Sequence, residues 1–207
     1  LYMRDTYAFE ESVITYTNIT NTGEYREYNV DLLNIKTTSV FLISSLTKTN
    51  DMVCIASRES GLSPSLEIRM KGGEIRTLYP TKDTYIRAYD DTEDYSNENY
   101  GDSEELYVKD SYYQLANGTY KPYSSKTRRT YIAFDAQQIP QEEDIDHMYL
   151  KFYAKIVPEE GEATTTETNH ELAVFDACIE SWDEKPSENN QFDPMTWSNY
   201  IISHYSW

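Results

Sequence analysis

The 207-residue sequence has few of the residues from which catalytic and metal sites are usually built, with two cysteines, three histidines and seven glycines. The histidines, His147, His170 and His204, are isolated from one another, and the two cysteines match no metal-binding spacing. No glycine-rich phosphate loop and no Ser-His-Asp pattern is present. Carboxylate pairs such as Glu142-Glu143 are expected by chance among 36 acidic residues. The sequence therefore predicts that the protein is not an enzyme.

Long apolar runs and basic residues are also scarce. No stretch approaches the roughly 20 apolar residues that cross a bilayer, so no membrane span is predicted. The sequence opens at Leu1 without a signal segment, which predicts a mature or excised fragment. The net charge of −18 would repel nucleic acid and anionic lipid. The many carboxylates either solvate an extracellular surface or supply oxygen ligands for calcium.

Residues typical of β-strands are abundant, including 20 tyrosines and 6 phenylalanines, whereas helical spacing of apolar residues is rare. Turn signals occur at residues 71–74 (KGGE) and at Asn117-Gly118. We therefore predict an all-β fold in one domain, a sandwich of about nine or more antiparallel strands. Alternation with period two predicts strands at residues 25–33, 40–46, 52–57, 65–70, 84–89, 105–109, 129–134, 147–156 and 171–179.

Of two further patterns, the sequons favour an extracellular or cell-surface location. Cys54 and Cys178 each lie in a strand-like run, and they form either a long-range disulfide or two buried free thiols. Asn18-Ile19-Thr20 and Asn117-Gly118-Thr119 are sequons, so Asn18 and Asn117 are predicted to carry N-linked glycans.

An acidic segment between two predicted strands is a candidate structural calcium site. Calcium binds six to eight oxygen atoms, which an irregular acidic loop can supply, although a loop held open by self-repulsion in solvent is the alternative. The predicted ligands are Asp90, Asp91, Asp94, Asn97 and Asp102.

From Thr77 onward, motifs follow one another in the order and spacing of a known family. They are residues 83–87 (DTYIR), 99–101 (NYG), 106–109 (LYVK), 129–135 (RTYIAFD), 182–184 (WDE) and 196–199 (TWSN). On these motifs the chain resembles the DNRLRE family of extracellular jelly-roll domains, which includes carbohydrate-binding modules found beside polysaccharide-degrading enzymes. The resemblance implies a jelly-roll β-sandwich, structural packing for Trp182 and Trp197, and calcium as a structural cofactor.

The order of the motifs departs from that family. Its closing third should follow Asn199, but matching motifs lie before Thr77, among them residues 57–59 (SRE). The resemblance thus assigns residues 1–75 to the C-terminal third of a jelly-roll module and residues 76–207 to its N-terminal two thirds.

Two arrangements could produce this order. In the first, the chain folds on itself as a circular permutant, with residues 71–76 joining the old termini. In the second, each chain completes the sandwich of a neighbouring copy, and such head-to-tail contacts would build a fibre. The order of the motifs favours a structural role as a building block of a fibre or surface coat, with copies of the chain as partners.

The alternative function is that of a glycan-binding module in a larger secreted or cell-surface protein. Such a module needs exposed aromatic rings that stack on sugars. The net charge disfavours polyanionic glycans unless Lys121, Lys126, Arg128 and Arg129 form a basic patch. The candidate carbohydrate-binding residues, which lie in a polar segment, are Tyr112, Tyr113, Tyr120 and Tyr123.

Overall fold

The chain folds as a two-sheet β-sandwich, seen in a computed structural model that describes residues 12–31, 40–47, 51–89, 93–110, 113–114, 120–121, 126–140, 144–159, 170–177, 182–184 and 196. These residues include one short 3₁₀ helix (Ala136–Gln138) and no α-helix. The strands are β1 (Ser12–Ile19), β2 (Glu24–Asn29), β3 (Val40–Ser45), β4 (Met52–Ala56), β5 (Ser65–Met70), β6 (Ile75–Leu78), β7 (Lys82–Arg87), β8 (Glu105–Val108), β9 (Tyr113–Gln114), β10 (Tyr120–Lys121), β11 (Arg128–Ala133), β12 (Ile145–Val157) and β13 (His170–Asp176).

Both sheets are antiparallel. The first sheet has the order β1-β13-β3-β11-β7, and β9 pairs with β10 as a separate two-stranded ribbon. The second sheet is built around β12, which pairs with β2 along one edge and with β5 and β4, placed end to end, along the other. At the two ends of this sheet, β6 pairs with β5 and β8 pairs with β4. The sequence prediction of an antiparallel β-sandwich is confirmed.

The main hydrophobic core lies between the two sheets. Along β12, burial alternates so that Met148, Leu150, Phe152, Ala154 and Ile156 are buried while their neighbours are more exposed. These side chains pack in one cluster with residues of the first sheet. Alternation of this kind is expected where one face of a strand meets a core and the other meets solvent. The outer face of the second sheet is therefore the accessible one.

The first sheet, in contrast, is buried on both faces. All six residues of β11 are buried, and a second hydrophobic cluster on the outer face includes Leu42, Ile86, Tyr131 and Trp182. Only 3% of Trp182 is exposed, so it packs on this sheet, as the sequence resemblance implied. Trp197 lies outside the described residues.

The first third of the chain contributes strands to both sheets. β3 lies between β11 and β13, and β4 and β5 both pair with β12 of the same chain. The sandwich is thus completed within one chain. The division at residue 75 into thirds of a permuted module stays a prediction.

Residues 71–76, which were predicted to link the two parts of the module, do not form a linker along their whole length. The Gly73 backbone has a φ of 86°, a left-handed conformation that glycine adopts without a steric penalty. The amide of Gly73 donates to the carbonyl of Met70 (2.8 Å), which closes a tight turn. β6 then begins at Ile75, inside the predicted linker, because the turn is complete by residue 74. Residues 71–76 thus form a hairpin turn and the start of a strand.

Candidate functional site

A cleft with a volume of about 460 Å³ lies where β8, the edge strand of the second sheet, meets β7 and β11 of the first sheet. Apolar side chains at the ends of β4 and β12 also line it. The polar and aromatic residues that line it, which we call the cleft residues, are Tyr85, Arg87, Glu105, Tyr107, Arg128 and Lys155.

The cleft residues include three cations and one carboxylate, although the whole chain carries a net charge of −18. The guanidinium of Arg87 lies 3.4 Å from the centroid of the Tyr95 ring, so this ring supports it from one side. At the mouth of the cleft, the Lys155 ammonium is 3.4 Å from the Glu105 carboxylate, and both side chains are more than a third exposed. The other two cations also have acidic partners, since Arg87 Nη2 lies 3.9 Å from Glu93 and Arg128 Nη1 lies 3.5 Å from Glu159. The cleft thus concentrates cations on an acidic protein.

A buried glutamate organises the cations on one side of this cleft. Glu159 is 5% exposed, and its carboxylate lies 2.5 Å from the ammonium of Lys109, 3.3 Å from that of Lys126 and 3.5 Å from the guanidinium of Arg128. Burial works to raise the pKa of Glu159, but the hydrogen bond from Lys109 and the charges of the three cations hold that pKa below its ordinary value. Glu159 therefore stays ionised and fixes Arg128 in place.

Aromatic rings form the other wall of the cleft. Tyr85 stacks on Tyr100, with ring centroids 4.1 Å apart, and meets the edge of Tyr107 at 5.4 Å. The Tyr107 hydroxyl donates a hydrogen bond to Glu105 Oε2 (2.5 Å). Burial and this carboxylate raise the pKa of Tyr107, so the hydroxyl keeps its proton. The wall therefore combines flat rings with a fixed polar group.

The outer face of the second sheet extends from the cleft along β12. Tyr149, Lys151, Tyr153 and Lys155 alternate with the buried residues of this strand and so share the outer face. Lys155 lines the cleft, and the others continue the same row away from it. The cleft and this face form one continuous surface.

Tyrosines and ion pairs cover that outer face. Tyr25 is 56% exposed and contacts the ring of Tyr153 edge to face, with centroids 5.6 Å apart. The ammonium of Lys151 bridges two carboxylates, 2.9 Å from Glu27 and 2.5 Å from Glu67. Lys151 therefore has two close acidic partners, whereas Lys155 in the cleft has one at 3.4 Å.

The side chains of the four predicted carbohydrate-binding tyrosines are not described, so their role is not tested. Tyr112 and Tyr123 lie outside them, while Tyr113 and Tyr120 lie in β9 and β10, of which the backbone is described. The segment that carries all four begins and ends beside the cleft, because the backbones of Lys109 and Arg128 pair through hydrogen bonds of 3.0 and 2.9 Å. Their role in sugar binding stays a prediction.

The predicted basic patch is assembled in part. Lys126 and Arg128 meet at Glu159, next to the cleft. Arg129 pairs with Ile86, whose side chain belongs to the outer cluster of the first sheet, so Arg129 lies on the opposite face of β11 from Arg128. For Lys121 the backbone alone is described. The prediction assumed that residues adjacent in the sequence are also adjacent on the surface. In a strand, however, successive side chains point to opposite faces.

The predicted calcium loop is described in part. Asp90 and Asp91 are among the undescribed residues, and Asp94, Asn97 and Asp102 are exposed, with Asp94 Oδ1 accepting hydrogen bonds from the Ser96 amide (2.9 Å) and hydroxyl (2.6 Å). Calcium at this loop stays a prediction.

The predicted disulfide and glycosylation sites are also described only in part. Cys54 is buried in β4, but Cys178 is outside the described residues, so their pairing stays a prediction. Asn18 lies in β1 opposite Glu171, and Asn117 is outside the described residues.

Sequence analysis missed most of the cleft residues. The missed cations are Arg87 and Lys155, and the missed aromatics are Tyr85 and Tyr107. A signal was present in β12, where tyrosine and lysine alternate with apolar residues from position 149 to position 155. No local signal linked β12 to Arg87, because these strands lie in different sheets.

Comparison with known proteins yields a family but no close relative. The model of carbohydrate-binding module family 96 matches residues 74–204, which is more than half of the chain. All six cleft residues lie in the matched range. No curated protein and no solved structure gives a significant match. The match confirms the likeness to carbohydrate-binding modules that the sequence implied, and it does not test the permuted order.

Proposed function

The chain belongs to carbohydrate-binding module family 96, and from this membership we propose that it is a non-catalytic module that binds an anionic polysaccharide in the cleft between β7, β8 and β11. The observation that carries the proposal is the charge of the cleft, which has three cations against one carboxylate in a protein of net charge −18. The module works outside the cell, as part of a secreted or cell-surface protein.

The chemistry of the cleft suits a sugar that carries a carboxylate. Guanidinium and ammonium groups bind carboxylates through charge-assisted hydrogen bonds, which are stronger than neutral ones. Arg87 is supported by the ring of Tyr95, so little side-chain freedom is lost when it binds a ligand. The neighbouring tyrosine rings offer flat apolar surface to the faces of sugar rings. Together, these groups recognise both the charge and the ring of an acidic sugar.

The alternative of a head-to-tail fibre receives no support from the arrangement of the strands. That hypothesis assigns the first third of the chain to the sandwich of a neighbour. Instead, β3, β4 and β5 pair with strands of their own chain, and the main core is formed without a second copy. Filament assembly would be driven by an exposed apolar face that needs a partner strand. These strands already have partners in their own chain.

The proposal is tested by isothermal titration calorimetry with an acidic polysaccharide, a polyuronate, and with a neutral one, a β-glucan. We expect binding to the polyuronate that weakens as salt concentration rises. Arg87→Gln and Lys155→Met should each weaken it at least about tenfold, since each removes a charge from the cleft. Lys151→Met is the matched control, because Lys151 lies on the same face of β12 but outside the cleft lining, where it bridges Glu27 and Glu67.

Two other outcomes would overturn the proposal in different ways. Binding to the neutral glycan alone, insensitive to salt, would retain carbohydrate binding but refute anionic specificity. Absence of binding to either polysaccharide, by a protein shown to be folded by circular dichroism, would count against the cleft as a glycan site.

A further inference from the structure

Three acidic side chains from distant parts of the chain meet at the opposite end of β7 from Arg87. Glu59 comes from the turn after β4, Asp83 from the start of β7, and Glu184 from the segment that follows Trp182. One carboxylate oxygen from each lies within 4.8 Å of the others. The strand rise places Asp83 about 13 Å from Arg87, so this group is separate from the cleft.

Asp83 is the least solvated member of the group. Its relative exposure is 0%, and its Oδ2 accepts a hydrogen bond from the Arg58 amide (2.7 Å). Its Oδ1, in contrast, is buried without a hydrogen-bond partner in the structure. A buried carboxylate oxygen without a partner is costly, because it has lost its hydration and gained nothing in exchange. This atom points to a ligand that the protein itself does not supply.

Glu184 is held rigidly beside it. Its Oε1 accepts a hydrogen bond from the Asp83 amide (2.8 Å), and its Oε2 accepts one from Arg58 Nη2 (2.7 Å). A Cβ on Gly101 would lie 2.1 Å from the Glu184 carbonyl oxygen, so the two backbones are in close contact. The position of the Glu184 carboxylate is therefore set before any ligand binds.

Arg58 balances part of the charge of the group. Its guanidinium pairs with Glu59 (2.8 Å) and with Glu184 (2.7 Å), whereas Asp83 receives the backbone amide of Arg58. Three carboxylates against one guanidinium leave an excess of two negative charges when all are ionised. Burial, together with the charges of Glu59 and Glu184, raises the pKa of Asp83 to about 7, so this excess charge is unfavourable without a ligand. A divalent cation would neutralise this excess.

We propose that Glu59, Asp83 and Glu184 bind a divalent cation, and that the cation is calcium. All three offer oxygen ligands, which hard cations prefer, and no histidine or cysteine takes part. Oxygens bound to one calcium at about 2.3–2.6 Å can be up to roughly 5 Å apart, which the spacing of the group satisfies. The cation ties the turn after β4 to β7 and to the segment at Glu184. The site differs from the acidic loop at residues 90–102 and does not depend on glycan binding.

The test is calorimetric titration of the whole chain with calcium chloride at neutral pH, after treatment with a chelator and without any glycan. We expect one bound ion with a Kd of about 10⁻³ M or tighter. Glu59→Gln and Asp83→Asn should each weaken binding at least tenfold; the Asn side chain keeps an acceptor for the Arg58 amide. Asp94→Asn is the control, since Asp94 is an exposed acid of the loop in which sequence reasoning predicts calcium. It should leave the Kd unchanged.

Two results would overturn the proposed calcium site. No heat of binding up to about 10 mM calcium, the range of weak extracellular modules, would overturn the proposal. Unchanged affinity in Glu59→Gln would overturn it too, and this variant decides the matter if Asp83→Asn fails to fold, because Glu59 is exposed. Calcium should also raise the melting temperature of the wild type more than that of Glu59→Gln at the same calcium concentration.

Discussion

The ammonium of Lys109 lies 2.5 Å from the carboxylate of Glu159, and the two side chains are only 2% and 5% exposed. Lys126 and Arg128 approach the same carboxylate. A buried pair of this kind adds little stability compared with apolar residues, but removing one partner leaves the other charge buried and uncompensated. The cationic side of the cleft therefore depends on Glu159.

Replacing this carboxylate should be strongly destabilising. We expect Glu159→Gln to lower the free energy of unfolding by about 3–5 kcal/mol, because Lys109 then loses the charge of Glu159 in a buried position. Urea denaturation measures the change. As a control, Glu74→Gln removes the partner of Arg76 from an exposed pair and should have a much smaller effect, because solvent screens that pair. Equal effects of the two substitutions would contradict the structure.

Gly101 should not tolerate a side chain. A Cβ there would lie 2.1 Å from the carbonyl oxygen of Glu184, which is backbone and cannot move aside cheaply. Gly101→Ala should lower the free energy of unfolding by about 1–3 kcal/mol, as overpacking usually does. Gly72→Ala is the matched control, since a Cβ at Gly72 meets nothing within 4 Å. If thermal melts show equal stability for both variants, the segment at Glu184 does not pack as described.

Trp182 should be a major contributor to stability although it lies outside the main core. It is 3% exposed and covers the outer face of the first sheet. Trp182→Ala should cost about 3–5 kcal/mol in urea denaturation. Tyr79→Ala provides the comparison, because Tyr79 is 66% exposed and its loss should change stability by about 0.5 kcal/mol or less. A small effect at Trp182 would mean that the outer face of this sheet is open to solvent.

The pair of His147 and Asp31 should make stability depend on pH. The Asp31 carboxylate lies 2.6 Å from His147 Nδ1, and this hydrogen bond raises the pKa of His147. Partial burial works to raise the pKa of Asp31, but the hydrogen bonds from His147 and the Met148 amide lower it on balance. The histidine contribution is full below its unfolded pKa of about 6.5 and is lost as pH rises through the raised value. The aspartate contribution is present above about pH 4 and is lost below it.

We therefore expect His147→Gln to reduce the free energy of unfolding more at pH 5.5 than at pH 8.5. Denaturant titrations of both proteins at the two pH values measure this difference. A reduction that is the same at both, or larger at pH 8.5, would show that the ion pair does not form.

Local patterns were sufficient to predict much of the fold. The alternation in β12 and the glycines at 72 and 73 mark a strand and a turn that the structure contains. β1 was not among the nine predicted strands, although six of its eight residues are β-branched or aromatic. For β3 the alternation is absent, because both faces of the first sheet are covered and five of its six residues are buried. In such a strand the sequence cannot indicate which face meets the main core.

Sites formed by residues far apart in the sequence could not be predicted from local patterns. Sequence reasoning placed calcium in the segment with the highest density of acids. The structure also brings together Glu59, Asp83 and Glu184, each of which lies in a different motif of the family resemblance. Their meeting depends on the pairing of strands across the whole chain, which no short window of sequence contains.

The hairpin turn at residues 71–74 separates two parts of the chain that are interleaved in both sheets. A peptide-bond break within this exposed turn would leave two fragments held together by the ladders between β12 and β5 and between β3 and its neighbours. The molecule thus has the layout of a split protein, whose halves could be produced separately and recombined. The same turn could accept an inserted reporter domain without interrupting a strand.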